Sequence, residues 1–295
     1  MTKLLYYGAL ACLLVISSCS VKVEEIPQSQ VKECSILASV EAGPDIKTVI
    51  DDNTLDITWE QGDAINVFFG TNSSKFVTSE SGSVAQFKGS IDVVTGGGEG
   101  LTDETSLWGV YPYNPNNKCE GSKVILSLPA VQEAAENSFA NGLFPQIARS
   151  QNFYMSFYNL CGCFRFSVSN PDIKYVTLSG NNDELIAGRA KVSKEAEPMV
   201  DEILSGEKRL VMYAPDGGTF KTGVNYYLVL FPTTFSKGLT LTYYKEDTYA
   251  SYVYLKPYTL GRGVISRFAN RDSGLTFVSN PLNDWEEGDH FEGEI

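Results

Sequence analysis

Residues Asn225–Lys256 read NYYLVLFPTTFSKGLTLTYYKEDTYASYVYLK, which contains three short segments rich in Tyr, Val, Leu and Thr separated by turn-forming residues. Segments of this length and composition are typical of β-strands, because these residue types favour a pleated, half-buried surface. Similar segments run from AINVFF (Ala64–Phe69) to VISRF (Val264–Phe268), and helical periodicity is nearly absent. The pattern predicts an all-β protein built from β-sandwiches.

The strand pattern pauses in the middle of the chain. Alternation stops after ILSLP (Ile125–Pro129) and starts again at Phe153. Loops of about twenty residues are uncommon inside a compact domain, so we place a boundary here. We predict a first β-sandwich domain at 33–152 and a second at 153–295. Within the stretch that lacks alternation, PAVQEAAENSF (Pro129–Phe139) is the one place where the residues favour a helical turn or two.

The N-terminus is typical of an exported lipoprotein. Lys3 precedes LLYYGALACLLVIS, an apolar run of secretory length that is too short for a convincing membrane span. We predict a signal peptide at 1–18, because VISSCS resembles the site at which signal peptidase II acts. Lipidated Cys19 would then hold the protein to a membrane through acyl chains. An ordinary signal peptide is the alternative, and the polar residues 19–32 are predicted to be a tether.

Charge and cysteine content narrow the possible partners. The formal net charge is −13 and no basic run occurs, which makes nucleic acid and anionic membrane surfaces poor partners. The predicted mature chain contains four further cysteines, and an exported protein could pair them. Two of them lie two residues apart in LCGCFRF, which is poor geometry for a direct bridge within a strand. Structural thiols are favoured, with the pairing left open, for Cys34, Cys119, Cys161 and Cys163.

Catalytic constellations are hard to find in the sequence. The only histidine is His290, near the C-terminal end of the sequence, which argues against a serine or cysteine hydrolase with a histidine base. The acidic stretch DDNTLD (Asp51–Asp56) lacks the glycine and terminal glutamate of an EF-hand loop, so a plain acidic turn is favoured over a calcium site. We therefore predict no enzymatic activity, no cofactor and no metal site.

One phrase occurs twice. TWEQGDAINVFF (Thr58–Phe69) and DWEEGDHFEGEI (Asp284–Ile295) both contain Trp-Glu-x-Gly-Asp before an alternating stretch. In each copy the tryptophan is expected to pack as an anchor, and the glycine to take a positive φ in a turn that leads into a strand. The predicted structural residues of this module are Trp59, Gly62, Asp63, Trp285, Gly288 and Asp289.

The order of these motifs resembles the fimbrillin-like proteins of Bacteroidales, which are type V pilins and their accessory subunits. The resemblance covers essentially the whole mature chain, although each motif alone is short. The matching residues are Trp59, Gly62 and Asp63 of a W-x-x-G-D-x-I phrase, Tyr111, Pro112 and Tyr113 of a Y-P-Y phrase, and Leu128, Pro129 and Gln132 of an L-P-x-x-Q phrase.

The resemblance implies two tandem transthyretin-like β-sandwich domains and an outer-membrane lipoprotein that assembles with other fimbrial subunits by strand exchange. In major subunits, an arginine-specific protease removes the first strand. This chain departs from that scheme, because no arginine occurs between Ser20 and Ala148. Either another protease acts, or the protein keeps its lipid and first strand as an anchoring or accessory subunit.

The alternating end of the sequence is a candidate donor strand. Phe291, Gly293 and Ile295 share one face of a predicted strand, which could pair with an open sheet edge of another subunit. Alternatively, the same strand completes its own second domain. The leading function is therefore a structural or adhesive fimbrial subunit that binds other subunits or surface ligands. The alternative is a glycan-binding surface lipoprotein, for which only Trp59, Trp108 and Trp285 are available as tryptophan platforms.

Overall fold

The computed structural model describes residues 29–41, 58–94 and 106–280, and in these ranges regular structure is almost entirely β. A single 3-10 turn lies at Pro215–Gly217. In the described ranges, no helix has the length and apolar character needed to cross a membrane. The prediction of an all-β protein is confirmed. In chain order the strands are β1 (Ser29–Val40), β2 (Ala64–Phe69), β3 (Asn72–Thr78), β4 (Val84–Val94), β5 (Leu107–Tyr111), β6 (Lys118–Glu120), β7 (Lys123–Leu128), β8 (Val131–Ala135), β9 (Ser138–Phe139), β10 (Gln146–Ser150), β11 (Tyr154–Asn159), β12 (Gly162–Ser167), β13 (Tyr175–Gly180), β14 (Ala187–Lys194), β15 (Pro198–Glu207), β16 (Arg209–Tyr213), β17 (Tyr226–Leu230), β18 (Thr233–Phe235), β19 (Leu239–Tyr244), β20 (Thr248–Tyr254), β21 (Tyr258–Leu260), β22 (Ile265–Ala269) and β23 (Val278–Ser279).

Seven strands form a closed barrel in the order β1-β11-β10-β5-β2-β3-β4. The barrel closes through β1, which pairs antiparallel with β4 from Ser29–Val94 to Ser39–Val84. On its other side β1 pairs parallel with β11, from Leu37–Tyr154 to Val40–Phe157. Because both edges of β1 are paired over Leu37–Ser39, the sheet has no open edge there.

The second half contains two sheets whose side chains meet in an aromatic core. A seven-stranded sheet has the order β23-β20-β19-β13-β16-β8-β9, and a three-stranded sheet has the order β17-β12-β22. Phe268 of β22 packs edge-on against Phe164 of β12 at 4.9 Å and against Tyr252 of β20 at 6.3 Å. This is the face-to-face arrangement of a β-sandwich. Two smaller sheets, β15-β14-β7-β6 and β18-β21, complete the described part.

The helical turn expected at Pro129–Phe139 is wrong, because β8 and β9 occupy this stretch. Gln132 explains why tertiary structure overrides the local preference for helix. Its buried side chain accepts a hydrogen bond from Val229 N at 3.0 Å and donates one to Val229 O at 2.7 Å. β8 also pairs parallel with β16. The matching residue Gln132 therefore holds β8 between two strands of the second half.

Strand pairing crosses the boundary placed between residues 152 and 153. That point lies between β10 and β11, which both belong to the barrel. Earlier in the chain, β7 pairs with β14 and β8 pairs with β16, so segments before the boundary complete sheets formed by the second half. The domain limits at 33–152 and 153–295 stay a prediction.

Three of the cysteines are buried as free thiols, namely Cys119, Cys161 and Cys163. Burial raises the pKa of Cys119 to about 11 and lifts the pKa values of Cys161 and Cys163 well above their usual range. A thiol must lose its proton to act as a nucleophile or a metal ligand. These three cysteines therefore serve as small apolar core residues.

Candidate subunit-interaction site

β1 is the strand that a strand from another subunit would replace in strand exchange. Its two faces differ in burial. Ile36 and Ala38 are completely buried and Val40 is nearly so, whereas Glu33 and Ser35 are exposed. Alternate residues of a strand point to opposite faces, so one face of β1 belongs to the barrel core. Burying Ile36 and Val40 contributes about 1.5–3 kcal/mol each.

Specific hydrogen bonds hold β1 beyond its ladder with β4. The indole Nε1 of Trp59 donates to the carbonyl oxygen of Ala38 at 3.0 Å, and this bond is buried. Leu37 N donates to Phe153 O at 2.9 Å, next to the parallel pairing with β11. On the other face of β1, the Ser39 hydroxyl donates to the Ser156 hydroxyl of β11 at 3.3 Å.

An ion pair fastens the end of β1 to the second half of the chain. Arg262 donates from its two terminal nitrogens to the two carboxylate oxygens of Glu41, at 2.6 and 3.1 Å. The same guanidinium contacts Glu197 and donates to Asn159 O at 3.1 Å. Asn159 N in turn donates to Glu41 at 3.0 Å. A planar guanidinium matches a carboxylate through two parallel hydrogen bonds, which makes such pairs stronger than a single contact.

The first copy of the repeated phrase lies beneath β1. The ring of Trp59 packs edge-on against Phe87 at 5.0 Å, Tyr111 at 5.4 Å and Phe157 at 5.2 Å. Gly62 has a φ of +95°, a conformation that residues with a Cβ rarely adopt. The sequence phrase thus places an indole at the centre of the barrel core, where it joins β1, β4, β5 and β11.

Asp63 and Tyr111 link two of the matching motifs. The Tyr111 hydroxyl lies 3.0 Å from Asp63 Oδ1 and 2.9 Å from Asn141 Oδ1, and it accepts a hydrogen bond from Gly142 N at 3.1 Å. Asp63 also accepts from Glu60 N at 2.9 Å. Burial raises the pKa of Asp63 above its ordinary value, and the hydrogen bonds from Glu60 and Tyr111 offset part of this rise. Burial together with the Asp63 charge raises the pKa of Tyr111, so its hydroxyl stays protonated.

Comparison with known proteins gives neighbours in structure only. No protein-family model and no curated protein matches the chain. It is similar to the solved structure of a candidate cell adhesion protein from Bacteroides ovatus, at 13% identity and a TM-score of 0.47 over 85% of this chain and 96% of that one. A second candidate cell adhesion protein, from Bacteroides uniformis, has 13% identity and a TM-score of 0.44 over 83% of this chain and 96% of that one. It is also similar to the C-terminally truncated tip fimbrial protein Mfa3 from Porphyromonas gingivalis. The sequence identity is 8% and the TM-score is 0.39, over 85% of this chain and 99% of that one.

All three likenesses lie below a TM-score of 0.5. The function of this protein is therefore inferred from its own residues. Trp59 and Arg262 are the most important of these residues, because Trp59 binds Ala38 of β1 and Arg262 binds Glu41 directly after it.

Replacing Tyr111 with phenylalanine is expected to lower the free energy of unfolding by about 1–3 kcal/mol near neutral pH, since it leaves buried polar atoms without their hydroxyl partner. Because burial raises the pKa of Asp63, the folded state prefers the protonated carboxyl. Its contribution to stability is therefore fully present below the ordinary Asp pKa and is lost as pH rises through the folded-state pKa. The Tyr111 hydroxyl limits that loss, so the variant should suffer more at about pH 8 than at about pH 4.

Urea unfolding at the two pH values measures this difference. Tyr113→Phe is the matched control, because Tyr113 belongs to the same Y-P-Y phrase, is only half buried and lies under Lys75 through its ring. The control should stay within about 0.5 kcal/mol of the wild type. An equal loss for Tyr111→Phe at both pH values would show that Asp63 is not coupled to the hydroxyl.

Several predicted site residues lie outside the described ranges. This applies to Cys19 and to the second copy of the phrase with its donor-strand face, namely Trp285, Gly288, Asp289, Phe291, Gly293 and Ile295. Within residues 29–41, 58–94 and 106–280, no group of three or more His, Cys, Asp or Glu side chains could hold a metal ion. The sequence did not indicate the Glu41–Arg262 pair, whose members are 221 residues apart.

Proposed function

We propose that this protein is an accessory, anchor-like subunit of surface fimbriae, attached to the outer membrane through lipidated Cys19. Its partners would be other fimbrial subunits or ligands on host or bacterial surfaces. Assembly would proceed by β-strand exchange, with Phe291, Gly293 and Ile295 as the donor face. The resemblance of the ordered motifs supports the family, and the geometry of β1 supports the accessory role.

The observation that carries the proposal is that β1 is paired with β4 along its length and with β11 at its C-terminal end, over Leu37–Val40. Its ladder with β4 spans Ser29–Ser39, and Trp59 and Arg262 hold its far end. A major subunit of the resembled family has to lose this strand before it can accept another. Here an arginine-specific protease has no site between Ser20 and Ala148. A subunit that keeps β1 also keeps its connection to the lipid, as an anchor requires.

The glycan-binding alternative has less support from the described residues. Sugar-binding platforms need exposed aromatic rings. Trp59 is completely buried and Trp108 is 2% exposed, so neither ring is available to a ligand. Trp285 lies outside the described residues. A glycan-array screen with the mature protein would separate the two functions, because binding to a defined glycan in the absence of fimbrial subunits would favour the alternative.

The N-terminus of the protein isolated from cells tests the proposal. We expect a mature chain that starts at acylated Cys19, sediments with outer membranes and is labelled by immunogold on filaments or at their base. Cys19→Ala should release the protein from the membrane fraction, because a protein without its lipid loses the anchor. Ser20→Ala is the matched control and should leave it attached. A mature chain that begins beyond Val40 would contradict the anchor role.

A further inference from the structure

A cleft opens along the side of the second-half sandwich, between β20 and β22. Its volume is about 480 Å³, and Tyr252, Tyr254 and Phe268 form its apolar wall. β22 is the last strand of the β17-β12-β22 sheet, and in the described part of the chain no strand pairs with its other side. The facing sheet extends further, through β20. The cleft therefore lies where a fourth strand of the smaller sheet would be.

The backbone of β22 presents hydrogen-bonding groups to this cleft. Val264 O accepts from Cys163 N at 2.9 Å, and Asn270 N donates to Ser167 O at 3.0 Å, so these even-numbered positions face β12. In a strand, successive peptide groups point to opposite edges. The N–H and C=O groups of Ile265, Arg267 and Ala269 hence point to the free edge, in the geometry that an added strand needs.

The side chains around the cleft divide into an apolar inner face and a basic outer face. Phe268 is nearly buried and contacts the rings of Tyr252 and Tyr254, at 6.3 and 6.5 Å. On the outer side Arg267 is exposed. A second cation, the guanidinium of Arg271, lies over the aromatic wall itself, 5.2 Å from the Tyr252 ring centre and 6.0 Å from that of Phe268. A strand that fits this place would carry large apolar residues on one face and acidic residues on the other.

We propose that residues 289–295 of the same molecule occupy this cleft as a β-strand beside β22. Their sequence, DHFEGEI, puts Phe291 and Ile295 on one face and Glu292 and Glu294 on the other. The apolar pair enters the cleft over Tyr252 and Tyr254. The acidic pair lies next to Arg267, as opposite charges do on neighbouring strands.

The end of the described chain makes this seat reachable. β23 pairs with the start of β20, where Val278 lies opposite Tyr249, and Asn280 N donates to Asp247 O at 2.8 Å. From that point the cleft begins about five residues along β20, a distance of about 17 Å. Residues 281–288 can span at most about 28 Å when fully extended. They end in Glu287-Gly288, directly before Asp289, and this Glu-Gly-Asp sequence is typical of a turn at which a chain reverses its direction.

The proposed position of residues 289–295 in the cleft applies to the free, unassembled molecule, and it goes beyond the proposed function. The segment that the sequence suggests as a donor strand is then held by its own chain, and donation to another subunit would withdraw it. The proposal does not depend on lipidation of Cys19 or on retention of β1. Failure of either proposal therefore leaves the other standing.

Hydrogen exchange of β22 tests the seat in the full mature chain. We expect the amides of Ile265, Arg267 and Ala269 to be protected, and to exchange at least about tenfold faster when the chain is cut after Asn280. Adding the peptide of residues 284–295 to the shortened chain should return the protection. Amides of β15, an edge strand in another sheet, should not change and serve as the internal reference.

Paired variants and a dilution series complete the test. Phe291→Ser should release the three amides, whereas His290→Ser, one position along on the opposite face, should not. Protection in the same molecule is independent of concentration over about a hundredfold range, whereas a strand from a second copy is lost on dilution. Unchanged exchange after truncation, or protection that vanishes on dilution, would overturn the proposal.

Discussion

Replacing Trp59 with alanine is expected to lower the free energy of unfolding by about 3–5 kcal/mol, as truncation of fully buried tryptophans does. The indole contacts three aromatic rings within 5.4 Å and donates from Nε1 to Ala38 O. Alanine removes the edge-on packing, leaves a cavity at the centre of the barrel, and strips a buried carbonyl of its partner. Because that carbonyl belongs to β1, the first strand should loosen before the rest of the barrel.

Urea unfolding followed by far-ultraviolet circular dichroism measures the loss. Trp59→Phe is the matched control, since phenylalanine keeps one ring in the cluster but cannot donate to Ala38. We expect the control to lie between the wild type and the alanine variant. Hydrogen exchange of the β1 amides should rise in both variants, and most in the alanine variant. An alanine variant within about 1 kcal/mol of the wild type would show that the cluster does not anchor the barrel.

The sequence predicted the features of this core that depend on local patterns. Alternation and the Tyr, Val and Thr content were enough for the strand class, because side chains alternate across a strand wherever it pairs. The Trp-Glu-x-Gly-Asp phrase indicated a turn at Gly62 and an anchoring ring at Trp59. In the structure Gly62 has a φ of +95°, and the Trp59 ring packs against Phe87 at 5.0 Å. Local features such as strands, turns and anchoring rings, which depend on residues adjacent in the chain, could therefore be inferred from one sequence.

Pairing between distant segments could not be inferred in the same way. Arg262 lies between two glycines, and nothing near it indicates that Glu41 is its partner. Gln132 sits in a stretch whose alanines and glutamates favour helix, yet its amide bonds to Val229 in a strand 97 residues away. Strand order is a property of the folded sheet, since each edge can accept any strand of matching pattern. The parallel contact of β1 with β11 that closes the barrel belongs to the same class.

The largest loss is expected when β1 itself is removed. A chain that starts at residue 42 would lack Ile36, Ala38 and Val40 from the barrel core and leave the edges of β4 and β11 open. The burial of Ile36 and Val40 alone contributes about 1.5–3 kcal/mol each, and whole proteins of this kind are stable by only about 5–15 kcal/mol. We expect this chain to bind an apolar dye strongly and to aggregate, because an open, apolar sheet edge pairs with other chains.

A peptide of residues 29–41 should reverse this effect, because it supplies the ladder with β4, the carbonyl that Trp59 contacts and the carboxylate of Glu41 for Arg262. Dye binding and circular dichroism during a titration measure the recovery. Ile36→Asp in the peptide should abolish it, since an unpaired charge would enter the core. Ser35→Asp, one position along on the exposed face, should leave it intact. Equal rescue by both variant peptides would show that β1 is held by its backbone alone, and that the core face does not select the strand.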